Sequence, residues 1–342
     1  MESNTSQESA APPARVGVRE VALAAGVSTQ TVSRVLNDHP NIRPETRARV
    51  VETMATLGYR VNNAARALGT RTTRTLGVIA SDATLYGPSV GIAALEAAAR
   101  GVSRWIATAY ADAADEASVI DAADRLLAQG VDGIIVLAPH AATLAALSSA
   151  HPTVPLTALH AEAGAERQAE GAALAVGHLA ELGHRRIAVI SGPQDWLEAA
   201  ARDEGYARGI EKSEAEAGQH WRGDWTASAG HALADEVADA VRATDGPTAV
   251  AVANDQMALG LIAGLRALGI RVPDEVSVVG FDDNPDAAFF APPLTTIRLD
   301  IAGEARRVVA AVTGLDPVAG AEPPVLVARA STAPPAPPAS GA

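Results

Sequence analysis

The chain has 342 residues, 48% of them hydrophobic but only 3% aromatic, enough for two or three domains with cores of Ala, Val, Leu and Ile. It has no cysteine, which excludes disulfides, thiolate zinc sites and cysteine nucleophiles. Its net charge is -13, but residues 15–71 hold nine arginines against four carboxylates, a basic head of +5 that leaves -18 for the remainder. A small basic head on a large acidic body can bind phosphates while the body is kept off them.

Residues 1–14 are polar, rich in Ser, Pro and Ala, and are expected to form a disordered tail without an apolar signal region. No apolar run approaches the ~20 residues of a membrane helix. A cytoplasmic protein without a membrane partner is expected.

The stretch VREVALAAGVSTQTVSRVLN, 18–37, reads as two short helices around a tight corner. Gly26 stands where the chain must turn through positive φ, and Ser28 can cap the second helix. Val32, Val35 and Leu36 recur at helical spacing and face inward, while Thr29, Gln30, Ser33, Arg34 and Asn37 face outward. Short hydroxyls suit phosphates, an amide suits an adenine edge and a guanidinium suits guanine. The pattern is that of a helix-turn-helix whose second helix enters a major groove, with an ordinary helical hairpin as the plainer alternative. RPETRARVVETMATLGY, 43–59, supplies a third helix with Pro44 in its first turn and Gly58 at its end.

From residue 75 the pattern changes to apolar runs separated by Ala-rich helical stretches. The strands read are 75–81, 103–111, 132–138 and 154–160, then 185–192, 248–255 and 276–283. Two such βαβ series predict two doubly wound parallel sheets. The runs 294–300 and 324–332 are expected to cross between them. A cleft at the carboxyl ends of the strands is the expected ligand site. Polar groups gather there: Ser81, His160, Asn254, Asp255, Asp282 and Asp283 at strand ends, Arg202 in a helix and Trp225 in a loop. An aromatic face with Asp, Asn and Arg is how proteins grip a sugar. Asp255 could equally cap its helix, and a lone Trp is more often core.

An enzyme finds little support, since GxSxG, GxxxxGK[ST], HExxH and a GxGxxG after a strand are all missing. No cofactor or metal set is read. His178 and His184 are six apart, unsuited to one helix-face metal site, and are expected to cap or solvate their helix and turn.

The helix-turn-helix segment, YRVNNAARALG, VANDQMALG, SVVGFDD and PPLTTIRLD together resemble the LacI/GalR family of bacterial transcription regulators over about 17–332. GDWTASAG and VANDQMALG resemble the family's founding branch most. The resemblance implies an all-α helix-turn-helix head, 15–60; a hinge helix and linker, 61–73; and an α/β two-lobed core like the periplasmic binding proteins, 74–332. The N-subdomain would span about 74–166 and 298–323, the C-subdomain about 167–297 and 324–332, followed by a disordered tail, 333–342. It implies a dimer on near-palindromic operator double-stranded DNA, in which Thr29, Gln30 and Arg34 read bases. Ser28, Thr31, Ser33, Asn37 and Thr46 would hold phosphates, with His39 near the backbone or a base. Asn62, Ala65 and Leu68 would touch DNA from the hinge helix, Leu68 as a minor-groove wedge. Val61 replaces the proline usual before the hinge.

In the core, Arg202, Trp225, Asn254 and Asp282 match the family's sugar contacts, and Leu85 and Pro88 its apolar contacts at the cleft entrance. His160 stands in place of a carboxylate, Leu299 of a glutamine, Glu198 of a serine and Ile301 of a phenylalanine. The segment 161–170 is about six residues short and lacks an apolar strand. The resemblance thus implies a sugar-controlled repressor, with a galactoside as the named candidate. A corepressor-activated, purine-type regulator and a sugar-binding protein without DNA are the alternatives. The end PPAPPASGA carries no leucine heptad, so a homodimer is expected rather than a tetramer.

Overall fold

A computed structural model of the chain describes residues 16–37, 39–59, 72–81, 84–137, 140–316 and 319–336. The hinge positions Asn62, Ala65 and Leu68 and the tail 1–14 lie outside the described residues. Two compact units divide at residues 73 and 74.

The first unit is a three-helix head. Helix α1 (Val18–Ala25) starts where the Gly17 N–H donates to the Glu20 carboxylate at 2.8 Å. It stops at Gly26, whose φ of 65° and ψ of 38° are cheap only for glycine. Ser28 Oγ then accepts from the Thr31 N–H at 3.0 Å and caps α2 (Thr29–Leu36). Helix α3 (Pro44–Thr56) closes a core of Val21, Ala22, Ala25, Val32, Val35 and Val50. Arg47 is spent inside this unit: it donates to the carbonyls of Val35 at 3.4 Å and His39 at 3.0 Å, fixing the turn between α2 and α3.

The second unit has two lobes, each a four-stranded parallel sheet between helices. In chain order the N-lobe contains β1 (Thr75–Ala80), α4 (Tyr86–Gly101), β2 (Trp105–Tyr110), α5 (Glu116–Ala128), β3 (Ile134–Val136), α6 (Ala141–Ala150) and β4 (Leu156–Ala158). Its strand order is β2-β1-β3-β4. The C-lobe follows with α7 (Ala163–Glu181), β5 (Arg186–Ser191), α8 (Leu197–Ser213), β6 (Glu216–Arg222), α9 (Ala227–Ala232), α10 (Ala234–Arg242), β7 (Ala249–Val252), α11 (Asp255–Ala267) and β8 (Ser277–Val279), in strand order β6-β5-β7-β8. After β9 (Thr296–Arg298) the chain enters α12 (Ile301–Thr313), then returns through β10 (Val325–Val327), which pairs antiparallel with β9.

Burial on both faces explains why the strands read as unbroken apolar runs. Leu76, Val78 and Ala80 of β1 pack with Leu95 and Ala99 of α4 and with Ala305, Val308 and Val309 of α12. Ile79 points the other way, to Val119 and Leu126 of α5 and Leu147 of α6. Thus α12, although it follows the C-lobe in sequence, completes the N-lobe core.

Three expectations need correction. Strand β6 lies in EAGQHWR, which nothing in the sequence marked as a strand. It is the outer strand of its sheet with mostly exposed or half-buried side chains, so it lacks the apolar run that betrays a central strand. His178 and His184 do not solvate a turn. His184 is buried and joins Thr248 Oγ1 at 2.8 Å and the Ala333 carbonyl at 2.9 Å, while His178 Nε2 meets Thr332 Oγ1 at 3.0 Å. The segment expected to be disordered from 333 is correspondingly pinned at its start, where Ala333 also exchanges two 3.0 Å hydrogen bonds with Ser277 Oγ.

Candidate functional site

The carboxyl ends of the central strands face a cleft of about 660 Å³, its open mouth included, between the lobes of the second unit. All nine positions singled out for a ligand line it: Leu85, Pro88, His160, Glu198, Arg202, Trp225, Asn254, Asp282 and Leu299. Ile301 does too, as do Gln168, Trp196 and Gln256, which the sequence analysis did not single out.

Arg202 organises the C-lobe wall. It projects from α8 and is only 7% exposed. Its Nε donates to Gln168 Oε1 at 2.7 Å, Nη1 to the Ala253 carbonyl, and Nη2 to Asp282 Oδ1 at 3.3 Å. The guanidinium carbon lies 3.9 Å from the Phe281 ring centre and 5.4 Å from that of Trp225. Asp282, at φ 109°, follows β8 in a conformation that L-residues rarely adopt. Burial pushes its carboxyl up to about 6 against the opposing pull of Arg202.

Asn254 sits between strand and helix. Its Oδ1 accepts from the Met257 N–H at 2.9 Å, capping α11, and its Nδ2 donates to the Trp225 carbonyl at 2.9 Å. One side chain therefore starts the helix and fixes the Trp225 loop, leaving one amide hydrogen for the cleft. Trp225, itself at φ 74°, meets Trp196 edge-on at 5.7 Å, and Trp196 meets His140 of the N-lobe at 5.5 Å. Glu198, 7% exposed, occupies the first turn of α8. Burial pushes its carboxyl up to about 7, with its own backbone N–H and Arg202 pulling it back. Opposite, His160 at φ 63° ends the β4 connection, and burial pushes its imidazole down to about 4, leaving it neutral at pH 7.

Neighbouring strand-end groups serve structure instead. Asp255 accepts from Thr296 Oγ1 at 2.6 Å and the Asn284 N–H at 2.7 Å, and Asp283 pairs with Arg298 at 2.7 Å and Arg329 at 2.6 Å. Ser81 does not line the cleft. Gln168 had a usable signal: it lies on the stripe Gln168, Ala172, Ala175, Leu179, the buried face of α7, where a polar residue is out of place. Gln256 stands inside the quoted VANDQMALG, and Trp196 lies two residues before Glu198, each an unremarked neighbour of a residue that was chosen.

In the head, Ser28, Thr29, Gln30, Ser33 and Arg34 are exposed on and before α2, and Thr31, Asn37, His39 and Thr46 are half-buried around them. The Asn37 Oδ1 is buried without a hydrogen-bond partner. His39 Nδ1 accepts from the Asn41 N–H at 3.2 Å, which fixes the turn after α2.

A helix-turn-helix head joined to a two-lobed α/β body with an interlobe cleft defines a ligand-binding transcription regulator. Residues 18–62 match the bacterial regulatory proteins of the lacI family, and 176–332 the periplasmic binding protein-like domain. The lactose operon repressor of Escherichia coli (strain K12) is 33% identical over 292 residues, 83% of this chain and 80% of that protein. The transcriptional repressor PurR of Haemophilus influenzae (strain ATCC 51907 / DSM 11121 / KW20 / Rd) is 30% identical over 82% of this chain and 85% of that one. The crystal structure of the lac repressor dimer bound to operator and the anti-inducer ONPF superposes with a TM-score of 0.77 at 31% identity, covering 94% of this chain and all of that one. The chain belongs to the lacI family of bacterial regulatory proteins, and it is a DNA-binding transcriptional repressor of that type. Among the described residues no helix is long and apolar enough to cross a membrane.

Proposed function

We propose that a small sugar bound in the interlobe cleft controls this repressor's affinity for operator DNA. The observation that carries the reading is the convergence of an indole face, Trp225, with Arg202, Asp282 and Asn254 on one cleft wall. Sugars offer an apolar C–H face for stacking and vicinal hydroxyls for planar side chains. Leu85, Pro88, Leu299 and Ile301 supply the apolar remainder. In the head, Thr29, Gln30 and Arg34 read bases, while Ser28, Thr31, Ser33, Asn37 and Thr46 hold phosphates and His39 lies near the backbone or a base. A homodimer presents two heads to the halves of a near-palindromic operator.

The lobes already touch across the cleft. The Tyr86 N–H donates to Gln256 Oε1 at 3.1 Å, Arg167 lies 3.5 Å from Glu304, and His140 and Trp196 are in ring contact. A ligand that favours one lobe arrangement over another shifts that equilibrium and, with it, the spacing of the heads. Coupling of this kind typically amounts to about 1–3 kcal/mol. A galactoside fits the retained Arg202, Trp225, Asn254 and Asp282.

The second reading, a purine-type corepressor, draws on the PurR relative and on the replaced half of the cage: His160, Glu198 and Leu299. A thermal-shift screen of the full chain against galactosides, glucosides, pentoses and purines separates them. At a hundred times Kd a ligand adds about 2.7 kcal/mol, which moves the melting point by several degrees. A sugar that both shifts melting and loosens operator binding supports the proposal. A purine that shifts melting and tightens operator binding overturns it.

A further inference from the structure

The polar atoms of the cleft are not balanced. Gln168, Glu198 and Trp225 line it, each more than nine-tenths buried, and each keeps one polar atom without a hydrogen-bond partner: Nε2, Oε2 and Nε1 respectively. Two of these are N–H donors and require oxygens from a ligand. The third is a carboxylate oxygen and requires a donor.

Among the described residues no group donates a hydrogen bond to Glu198 Oε2. The other carboxylates close to the cleft are matched. Asp282 has Arg202, Asp283 has Arg298 and Arg329, Asp255 has Thr296 and the Asn284 N–H, and Glu304 has Arg307 at 2.6 Å. Arg202 spends three of its five N–H groups on Gln168, Ala253 and Asp282, and its charge is shared with Asp282. His160 across the cleft is neutral at pH 7. An ionised Glu198 is therefore a buried charge that must share Arg202 with Asp282, an arrangement that is costly unless a ligand supplies a further countercharge. The rings of Trp196 and Trp225 stand on the same wall, and electron-rich indole faces favour a cation beside them.

We infer that the effector is a saccharide bearing a protonated amine, with its ammonium at Glu198 beside the tryptophans and its hydroxyl oxygens on the N–H groups of Gln168 and Trp225. This rests on the sugar reading of the cleft given above. A neutral sugar can give Oε2 a hydroxyl, but it leaves the buried negative charge in place. An amino sugar supplies hydrogen bond and countercharge together.

The test is calorimetric titration of the full chain at pH 7 with matched probes: galactosamine against galactose and N-acetylgalactosamine, and glucosamine against glucose. The expected result is binding about tenfold or more tighter for an amino sugar than for its neutral partners, the scale of one charge-assisted hydrogen bond. Glu198→Gln keeps the shape, removes the charge and should bring the pair within about twofold. A preference that persists in Glu198→Gln overturns the role of Glu198. A neutral hexose that binds the wild-type chain as tightly as its amine overturns the amine and leaves the sugar reading standing; this arm needs no variant. Binding of a purine with no response to any saccharide overturns both.

Discussion

Glu198 lies in the first turn of α8, where a helix N-terminus favours a carboxylate, yet burial wins and pushes its carboxyl from 4.5 up to about 7. The folded state therefore holds this proton more tightly than the unfolded chain. The stability it contributes is fully present below about pH 4.5 and is lost as pH rises through about 7. The loss amounts to at most about 3 kcal/mol. The ligand-free Glu198→Gln variant should melt several degrees above wild type at pH 8 and level with it near pH 4.5. Equal melting temperatures at both pH values would show that Glu198 reaches water. Residues of this kind were legible only through their place in a family motif. The burial and the missing partner that give Glu198 its chemistry come from α7, α8 and the β8 turn meeting around it, which no local stretch of sequence encodes.

Helices and strands declared themselves to the degree that one face was buried. Helices α1 and α2 were readable from Gly26, Ser28 and the Val32, Val35, Leu36 stripe because cap, corner and core face all lie within twenty residues. Strand β6 was not, because an outer strand with solvent beside it needs no apolar run. The packing of α9 on α11 shows a second kind of hidden constraint. A Cβ on Gly260 would overlap the Ala227 carbonyl, whereas one on Gly177, in the middle of α7, would meet nothing within 4 Å. In an isolated helix both Gly→Ala changes would stabilise by about 0.5–1 kcal/mol. In the folded chain Gly177→Ala should keep that gain, while Gly260→Ala should cost about 1–3 kcal/mol because backbone must move. Chemical denaturation of the two variants checks this, and a stabilised Gly260→Ala would contradict the close packing of α9 and α11.

At the scale of the molecule, a head of +5 and a remainder of -18 divide the labour between phosphate binding and ligand sensing. Operator affinity should then fall steeply with salt, by about 0.9 in log K per log unit of salt for every phosphate neutralised. Random DNA should show a comparable slope, since phosphate contacts carry no sequence information. Fluorescence anisotropy across a salt series measures both slopes, and a flat response would remove the arginine-rich head from the interface. The sequence by itself determined the head, the two parallel βαβ series and the strand-end positions of the polar residues, because caps, periodicities and charge runs act over a few residues. Only the tertiary structure decided that His178 and His184 hold the C-terminal segment. It alone also showed that Arg202 spends three of its N–H groups inside the protein while Glu198 Oε2 is left without a hydrogen-bond partner. Those outcomes depend on which distant segments come into contact and on how many partners each buried polar atom finds there, and neither is written in any one stretch of the chain.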